Sequence, residues 1–284
     1  MFILIFEINF VSATKETVQF LTFNIFDINA GKFLFLKNIH WIRVVANLLH
    51  CSTQAPSSKK RSKATLMYGI GSTITATKWP RFLYEGTCHI LPRPYKPCKP
   101  YGEGWFLMKS QWFIDLVNEM EKYVMFYLET VEETYQTKKI ISELKEVKSI
   151  VPKCLRLSNT CFTQLSITTS DGEEDMEIHI DEGDIINAVF HLGIVKSGGS
   201  TLYFTTNRKE QKMLMRHDIP FEHGRVQIGL FNKIYHCAQS FQGIRFALNF
   251  NVKKKILQHF QKHGNRFYDQ LIDNNYKGEL LIAR

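Results

Sequence analysis

The chain has 284 residues, enough to bury one large core or two smaller ones. Its 44% hydrophobic and 22% charged residues are ordinary for a soluble globular protein, and no apolar run reaches the roughly 20 residues that cross a bilayer as a helix. The net charge of +9 is unevenly spread: between Cys51 and Gly104, nine Lys/Arg against Glu85 and Glu103 leave a surplus of seven. Such a surplus either steers a polyanion such as nucleic acid or belongs to a solvated connector.

Residues 1–50 alternate apolar and polar stretches that read as strands, among them Phe20-Leu21-Thr22-Phe23 and Phe33-Leu34-Phe35-Leu36. The opening Met1–Ser12 carries Glu7 and lacks the basic start of a secretory signal, which points to an intracellular protein. The six cysteines form no CxxC pair and no disulfide framework, consistent with a reducing compartment. Ser52–Ala64 reads as a linker, and its Ser57–Lys63 cluster also has the composition of a nuclear-import signal. Four prolines between Leu91 and Tyr101 forbid regular helix or central strand, so residues 1–104 form a less regular N-terminal region with a basic, Pro-rich linker.

From Lys109 to Ile150 the texture is helical. Trp112, Leu116, Met120, Tyr123, Val124, Tyr127 and Val131 recur at helical spacing with Glu and Lys between them, predicting one long helix or a helical pair. After Pro152 short β-prone runs take over: 155–157, 162–169, 176–180, 185–195, 201–204, 226–231 and 244–252. Glycines at 172, 183, 198–199, 224 and 243 punctuate them, as turns would. Many short strands predict a sandwich or barrel. Helix returns at Ile256 and stops at Gly264, with a further short helix expected over 268–272.

Within the β region four features stand in order. In His179-Ile180-Asp181 a strand would present an imidazole and a carboxylate on one face. Lys196–Phe204 contains the Gly198-Gly199 pair, which permits positive φ in a tight connection before Thr201 and Tyr203. A Gly-led run, Gly224–Phe231, leads to His236. Arg245 follows nine residues later inside an apolar run, where an unpaired guanidinium is costly unless it meets an anion. That anion is either a bound dicarboxylate, held bidentately, or an internal acid such as Glu222. Two His and one carboxylate around an ion with open positions form the ligand set of non-haem Fe(II) oxygenases.

This ordered set resembles the Fe(II)/2-oxoglutarate dioxygenase superfamily, closest in pattern to its prolyl 4-hydroxylase-like branch, over about Cys154–Val252. The resemblance implies an α+β fold with a double-stranded β-helix (jelly-roll, cupin-like) core over 151–252. Helical support would cover 105–150 and C-terminal helices 253–284, all within one domain of 105–284. It implies Fe(II) held by His179, Asp181 and His236, which would be both metal ligands and the catalytic centre. Arg245 would bind the distal carboxylate of 2-oxoglutarate, with Thr201 and Tyr203 as further co-substrate contacts. Dioxygen is then consumed, 2-oxoglutarate is decarboxylated to succinate, and a C–H bond is hydroxylated, with ascorbate as an accessory reductant. Two departures stand out. Thr169 takes the place of the Tyr that the branch sets before the HxD strand, and the basic residue is Arg rather than the Lys of collagen-type enzymes.

Other histidines compete less well. His223 precedes Gly224 in a turn context and no Arg follows it at a suitable distance. His191 lies in a strand with its face undecided, His217 flanks a loop, and His259 and His263 stand four apart on a helix without an acidic partner. The implied enzyme is an oxidoreductase acting on a macromolecule, either a protein side chain or a nucleobase extruded into the pocket. The basic segment 52–101 would supply phosphate contacts in the second case. A non-catalytic jelly-roll binding module is the alternative from another class.

Overall fold

The computed structural model of the chain describes residues 7–13, 16–24, 65–74, 80–84, 87–88, 111–130, 135–153, 156–170, 175–207 and 212–264. It combines α-helices with antiparallel sheet. Packing divides the chain into two compact units, one made of 1–67 and 167–249, the other of 68–166 and 250–284. The run Phe33–Leu36, the linker 52–64, the proline-rich 91–101 and the expected helix at 268–272 lie outside the described residues.

In the unit made of 68–166 and 250–284, the helical texture forms a pair, α1 (Gln111–Thr130) and α2 (Tyr135–Ile150). The expected stripe is the packed face of α1: Leu116, Met120, Tyr123, Val124 and Tyr127 are all buried. Each such side chain contributes about 1.5–3 kcal/mol relative to leaving it in water. Lys148 of α2 donates to Glu121 of α1 at 2.9 Å, and the other oxygen of Glu121 accepts the N–H of Cys161 at 2.6 Å. A third helix, α3 (Lys254–His263), buries Ile256, Leu257 and Phe260. It stops where Gly264 turns to φ +59 and donates its N–H to the Phe260 carbonyl. No helix among the described residues is long and apolar enough to cross a membrane.

Of the expected strand at 155–157, Leu155 lies outside the described residues and 156–157 are not in a strand. Arg156 is instead buried in a turn, where its Nε donates to the Val151 carbonyl and its Nη1 to that of Thr160. A guanidinium can satisfy several orphan carbonyls at once, and that outweighs the local β-propensity.

The unit made of 1–67 and 167–249 carries two antiparallel sheets. Its strands are β1 (Glu7–Ala13), β2 (Glu16–Asn24), β7 (Asp184–Gly198), β8 (Thr201–Asn207), β9 (Lys212–Ile219), β10 (Arg225–Gly229), β11 (Tyr235–Ala238) and β12 (Phe241–Lys253). (Strands β3 (Thr65–Ile74), β4 (Pro80–Tyr84), β5 (Thr87–Cys88) and β6 (Gln164–Ser170) complete the numbering.) One sheet runs β1-β2-β10-β7-β12 and the other β11-β8-β9. Strand β2, from the N-terminal region, pairs with β10 so that Gln227 faces Thr22 across the ladder. On its other side β10 pairs with β7, Val226 opposite Phe190. The continuous buried run Asp184–Ala188 at the start of β7 shows a strand covered on both faces.

A glycine expected at a turn serves a different purpose. Gly243 lies inside β12 at φ +131, and a Cβ there would fall 2.2 Å from the Ile194 carbonyl oxygen. Gly193 of β7 is its counterpart, with a Cβ falling 2.0 Å from the Ile244 oxygen and 2.9 Å from the Arg245 Cα. The two strands therefore touch backbone to backbone, which only a residue without a side chain permits.

Candidate metal centre

The stretch expected as a strand at 176–180 contributes a single antiparallel bridge between His179 and His236. Each residue's N–H donates to the other's carbonyl, at 3.0 and 2.8 Å, so the two α-carbons are clamped opposite one another. Two residues on, the Asp181 N–H donates to the Phe231 carbonyl at 3.0 Å, which holds the carboxylate on the same side as the His179 ring. The potential ligand atoms of His179, Asp181 and His236 all lie within 4.8 Å of one another. Among the described residues this is the one such cluster of His, Cys, Asp or Glu.

Local hydrogen bonds decide which nitrogen each ring offers. His179 Nδ1 stands 2.8 Å from the Glu177 carbonyl and His236 Nδ1 3.0 Å from that of Ile234. A carbonyl can only accept, so each Nδ1 carries the proton and each Nε2 presents a lone pair. Those Nε2 atoms lie 3.8 and 3.9 Å from Asp181 oxygens, too far to hydrogen-bond and close enough for one ion to touch all three groups. Burial, reinforced by the neighbouring His179, holds His236 below the usual imidazole range against the pull of Asp181. A neutral imidazole is the form that binds a metal.

The carboxylate is oriented by amides. Asp181 Oδ2 accepts from Asn187 at 2.9 Å and from Asn249 at 3.3 Å, and Asn187 donates also to the buried Asp184 at 2.8 Å. Two imidazoles and one fixed carboxylate within reach of one point fit Fe(II) with positions left for other ligands.

Arg245 of β12 is only 5% exposed. Glu222 does not pair with it, because that carboxylate binds Arg225. Arg245 Nη2 donates to Thr201 Oγ1 at 3.3 Å, while Nη1 is buried with no partner among the described residues. The guanidinium lies over the rings of Phe221 and Phe241, 5.8 and 6.0 Å from their centroids. Burial lowers its pKa to about 10, with Tyr203 opposing the shift. A buried cation with an unused donor is the counterpart expected for a missing anion.

Tyr203 stands between the two ends. Its ring lies 6.1 Å from that of His236 and 5.6 Å from that of Phe231, and its hydroxyl donates to Gln227 Oε1 at 2.7 Å. Thus the structure brings His179, Asp181 and His236 together, sets Thr201 against Arg245, and places Tyr203 beside His236. Of Thr169 only the backbone, in β6, is described.

The rival histidines are elsewhere. His223 Nδ1 accepts the Gly193 N–H at 3.1 Å, and the rings of His259 and His263 face each other 4.8 Å apart on α3. His217 sits opposite Tyr203 in the β8–β9 ladder. Sequence reasoning missed Asn187, Asn249 and Gln227, and it left His191 undecided. No spacing rule flags them, since each is an isolated polar residue in an apolar strand. That isolation was the available signal, and Arg245 was found by it.

No protein-family model matches the chain, and no curated protein does. Solved structures do. NgTET1 in complex with 5mC DNA matches at 13% identity and a TM-score of 0.48, covering 83% of this chain and 72% of that one. OsALKBH1 matches at 12% and 0.43, over 82% and 97%. An oxidoreductase of the 2OG-Fe(II) oxygenase family from Burkholderia pseudomallei matches at 11% and 0.40, over 75% and 78%. At these identities and TM-scores the functional reading rests on the triad and Arg245 themselves.

Proposed function

We propose that the chain is an Fe(II)- and 2-oxoglutarate-dependent dioxygenase that hydroxylates a C–H bond of a macromolecular substrate. The observation that carries this reading is the meeting of His179, Asp181 and His236 in one structure that also buries a half-partnered Arg245. The two antiparallel sheets around them are read as the core of a double-stranded β-helix within a domain of 105–284, to whose sheet β1 and β2 are added. In the overall reaction one atom of O2 enters the substrate C–H bond, the other enters succinate, and CO2 leaves.

Iron, when bound, supplies open coordination positions where oxygen and a keto acid meet. The chain's own residues do the rest. His179 and His236 hold their Nε2 lone pairs toward the ion because their Nδ1 protons are engaged by backbone carbonyls. Asn187 and Asn249 fix the Asp181 carboxylate. Arg245, steadied by Thr201 and two aromatic rings, offers Nη1 to a carboxylate from within a dry wall. Tyr203, whose pKa is raised by burial, stays protonated and donates to Gln227.

For the substrate, the surplus of seven positive charges over 51–104 favours a polyanion, and hence a nucleobase over a protein side chain. The test is release of labelled CO2 from 2-oxoglutarate by the protein with Fe(II) and ascorbate, alone and with single-stranded DNA, duplex DNA, RNA or peptides. The expected result is release that a nucleic acid stimulates and that His179→Ala or Asp181→Ala abolishes. Release unchanged in either variant rejects the ligand assignment; iron and 2-oxoglutarate binding without turnover on any polymer identifies a binding module.

A further inference from the structure

His191 of β7 is the one buried histidine whose two ring nitrogens both lack a hydrogen-bond partner among the described residues. It is 3% exposed. Gln227 stands near enough to pull the ring's pKa upward against burial, yet neither imidazole nitrogen reaches hydrogen-bond geometry with it or with another described residue. Burial and the Arg245 charge together hold the ring neutral at physiological pH, so it offers one N–H and one lone pair. A neutral buried imidazole with both functions unused needs an explanation, since native interiors rarely leave such groups unpaired.

Its surroundings supply one. His191 packs T-shaped against the Phe221 ring at 6.3 Å between centroids, and the Arg245 guanidinium lies over that same ring at 5.8 Å. The glycine contact two residues from His191 brings the backbone of β7 against Arg245, and that close approach is what lets both polar groups sit on one aromatic wall. Arg245 Nη1 likewise has no partner among the described residues. Two buried polar side chains on adjacent strands, each with an unused donor and both packed on Phe221, point to one shared guest that accepts from both.

We propose that His191 is a specificity-determining residue of the co-substrate pocket, donating its ring N–H to the same distal carboxylate that Arg245 holds, so that 2-oxoglutarate is favoured over keto acids lacking that carboxylate. This rests on the dioxygenase reading given above. A carboxylate has two oxygens, and a guanidinium on one with an imidazole on the other fixes its plane as well as its position. Because the imidazole is neutral, the pocket carries one positive charge against one negative charge, which suits a single carboxylate rather than a phosphate dianion.

Anaerobic calorimetry on the full chain with Fe(II) tests this, using 2-oxoglutarate and 2-oxobutyrate, which differ in the distal carboxylate, as probes. His191→Phe is expected to weaken 2-oxoglutarate about tenfold, the loss of one hydrogen bond to a charged group, while Fe(II) and 2-oxobutyrate affinities stay the same. His191→Gln, which keeps a donor, is expected to restore most of the difference. Should His191→Phe not fold, His191→Met fills a similar volume and takes the same readouts. An unchanged 2-oxoglutarate affinity, an equal loss for both keto acids, or a parallel loss of Fe(II) overturns the proposal. Wild-type protein that binds Fe(II) but no 2-oxoglutarate overturns the dioxygenase reading itself, a result distinct from any behaviour of the variants.

Discussion

His179 shows 38% of its side chain to solvent and Asp181 20%, whereas Arg245 and His191 are 5% and 3% exposed. The same sheet pair thus holds two polar groupings by opposite means. At the ligand end every side chain has a positioning partner: carbonyls for the imidazoles, amides for the carboxylate, and a two-residue backbone bridge beneath them. At the anchor end Arg245 Nη1 and both His191 ring nitrogens have no partner among the described residues and sit in an aromatic wall. An open, pre-oriented grouping suits an ion that exchanges ligands, and a dry, under-satisfied grouping suits an anion that must be gripped. The comparison teaches that satisfied and unsatisfied polarity can mark two halves of one site.

That contrast can be broken by removing one end at a time. The largest effect belongs to the ligand end. His236→Ala takes away a nearly buried imidazole that no neighbour can replace, and Fe(II) affinity is expected to fall at least a hundredfold, with circular dichroism unchanged. Fe(II) titration checks it, and retained iron shows that the three groups do not share an ion. Next comes the anchor end. Arg245→Met should leave Fe(II) binding alone and raise the 2-oxoglutarate requirement about 10- to 100-fold, the span set by a charge-assisted hydrogen-bond pair. Loss of both ligands together would mean that the two ends are one folding unit rather than two functional ones.

The smallest effect sharpens the comparison through acid stability. Burial lowers the His191 pKa from 6.5 to about 3. The unfolded chain then binds a proton that the folded chain refuses, so stability present above pH 6.5 is lost progressively as pH falls toward 3. Acid titration of the His191→Phe variant should show a shallower decline between those limits than wild type. Identical slopes would remove His191 from the acid response.

Much of the site was legible in the chain. An HxD triplet, a later histidine and an arginine within an apolar run are local facts, and strand periodicity fixes that positions 179 and 181 share a face. The stripe Leu116–Tyr127 likewise announced its own burial. Less legible were the glycines. Gly243 looked like turn punctuation, because sequence records that a residue lacks a side chain but not that a neighbouring strand needs the room. Strand β9 was missed because Lys212–Ile219 mixes charges with apolar residues and its pairing with β8 is a nonlocal matter.

The sequence by itself determined which groups could bind a metal and which cation would be expensive to bury, because ligand chemistry and desolvation belong to individual side chains. Tertiary structure alone decided that His236, the histidine the sequence already favoured over His223, reaches the pair at 179 and 181, that Glu222 goes to Arg225 instead of Arg245, and that His191 shares the Phe221 wall. Those choices depend on strand pairing and backbone approach between residues far apart in the chain, and no local pattern encodes such distances.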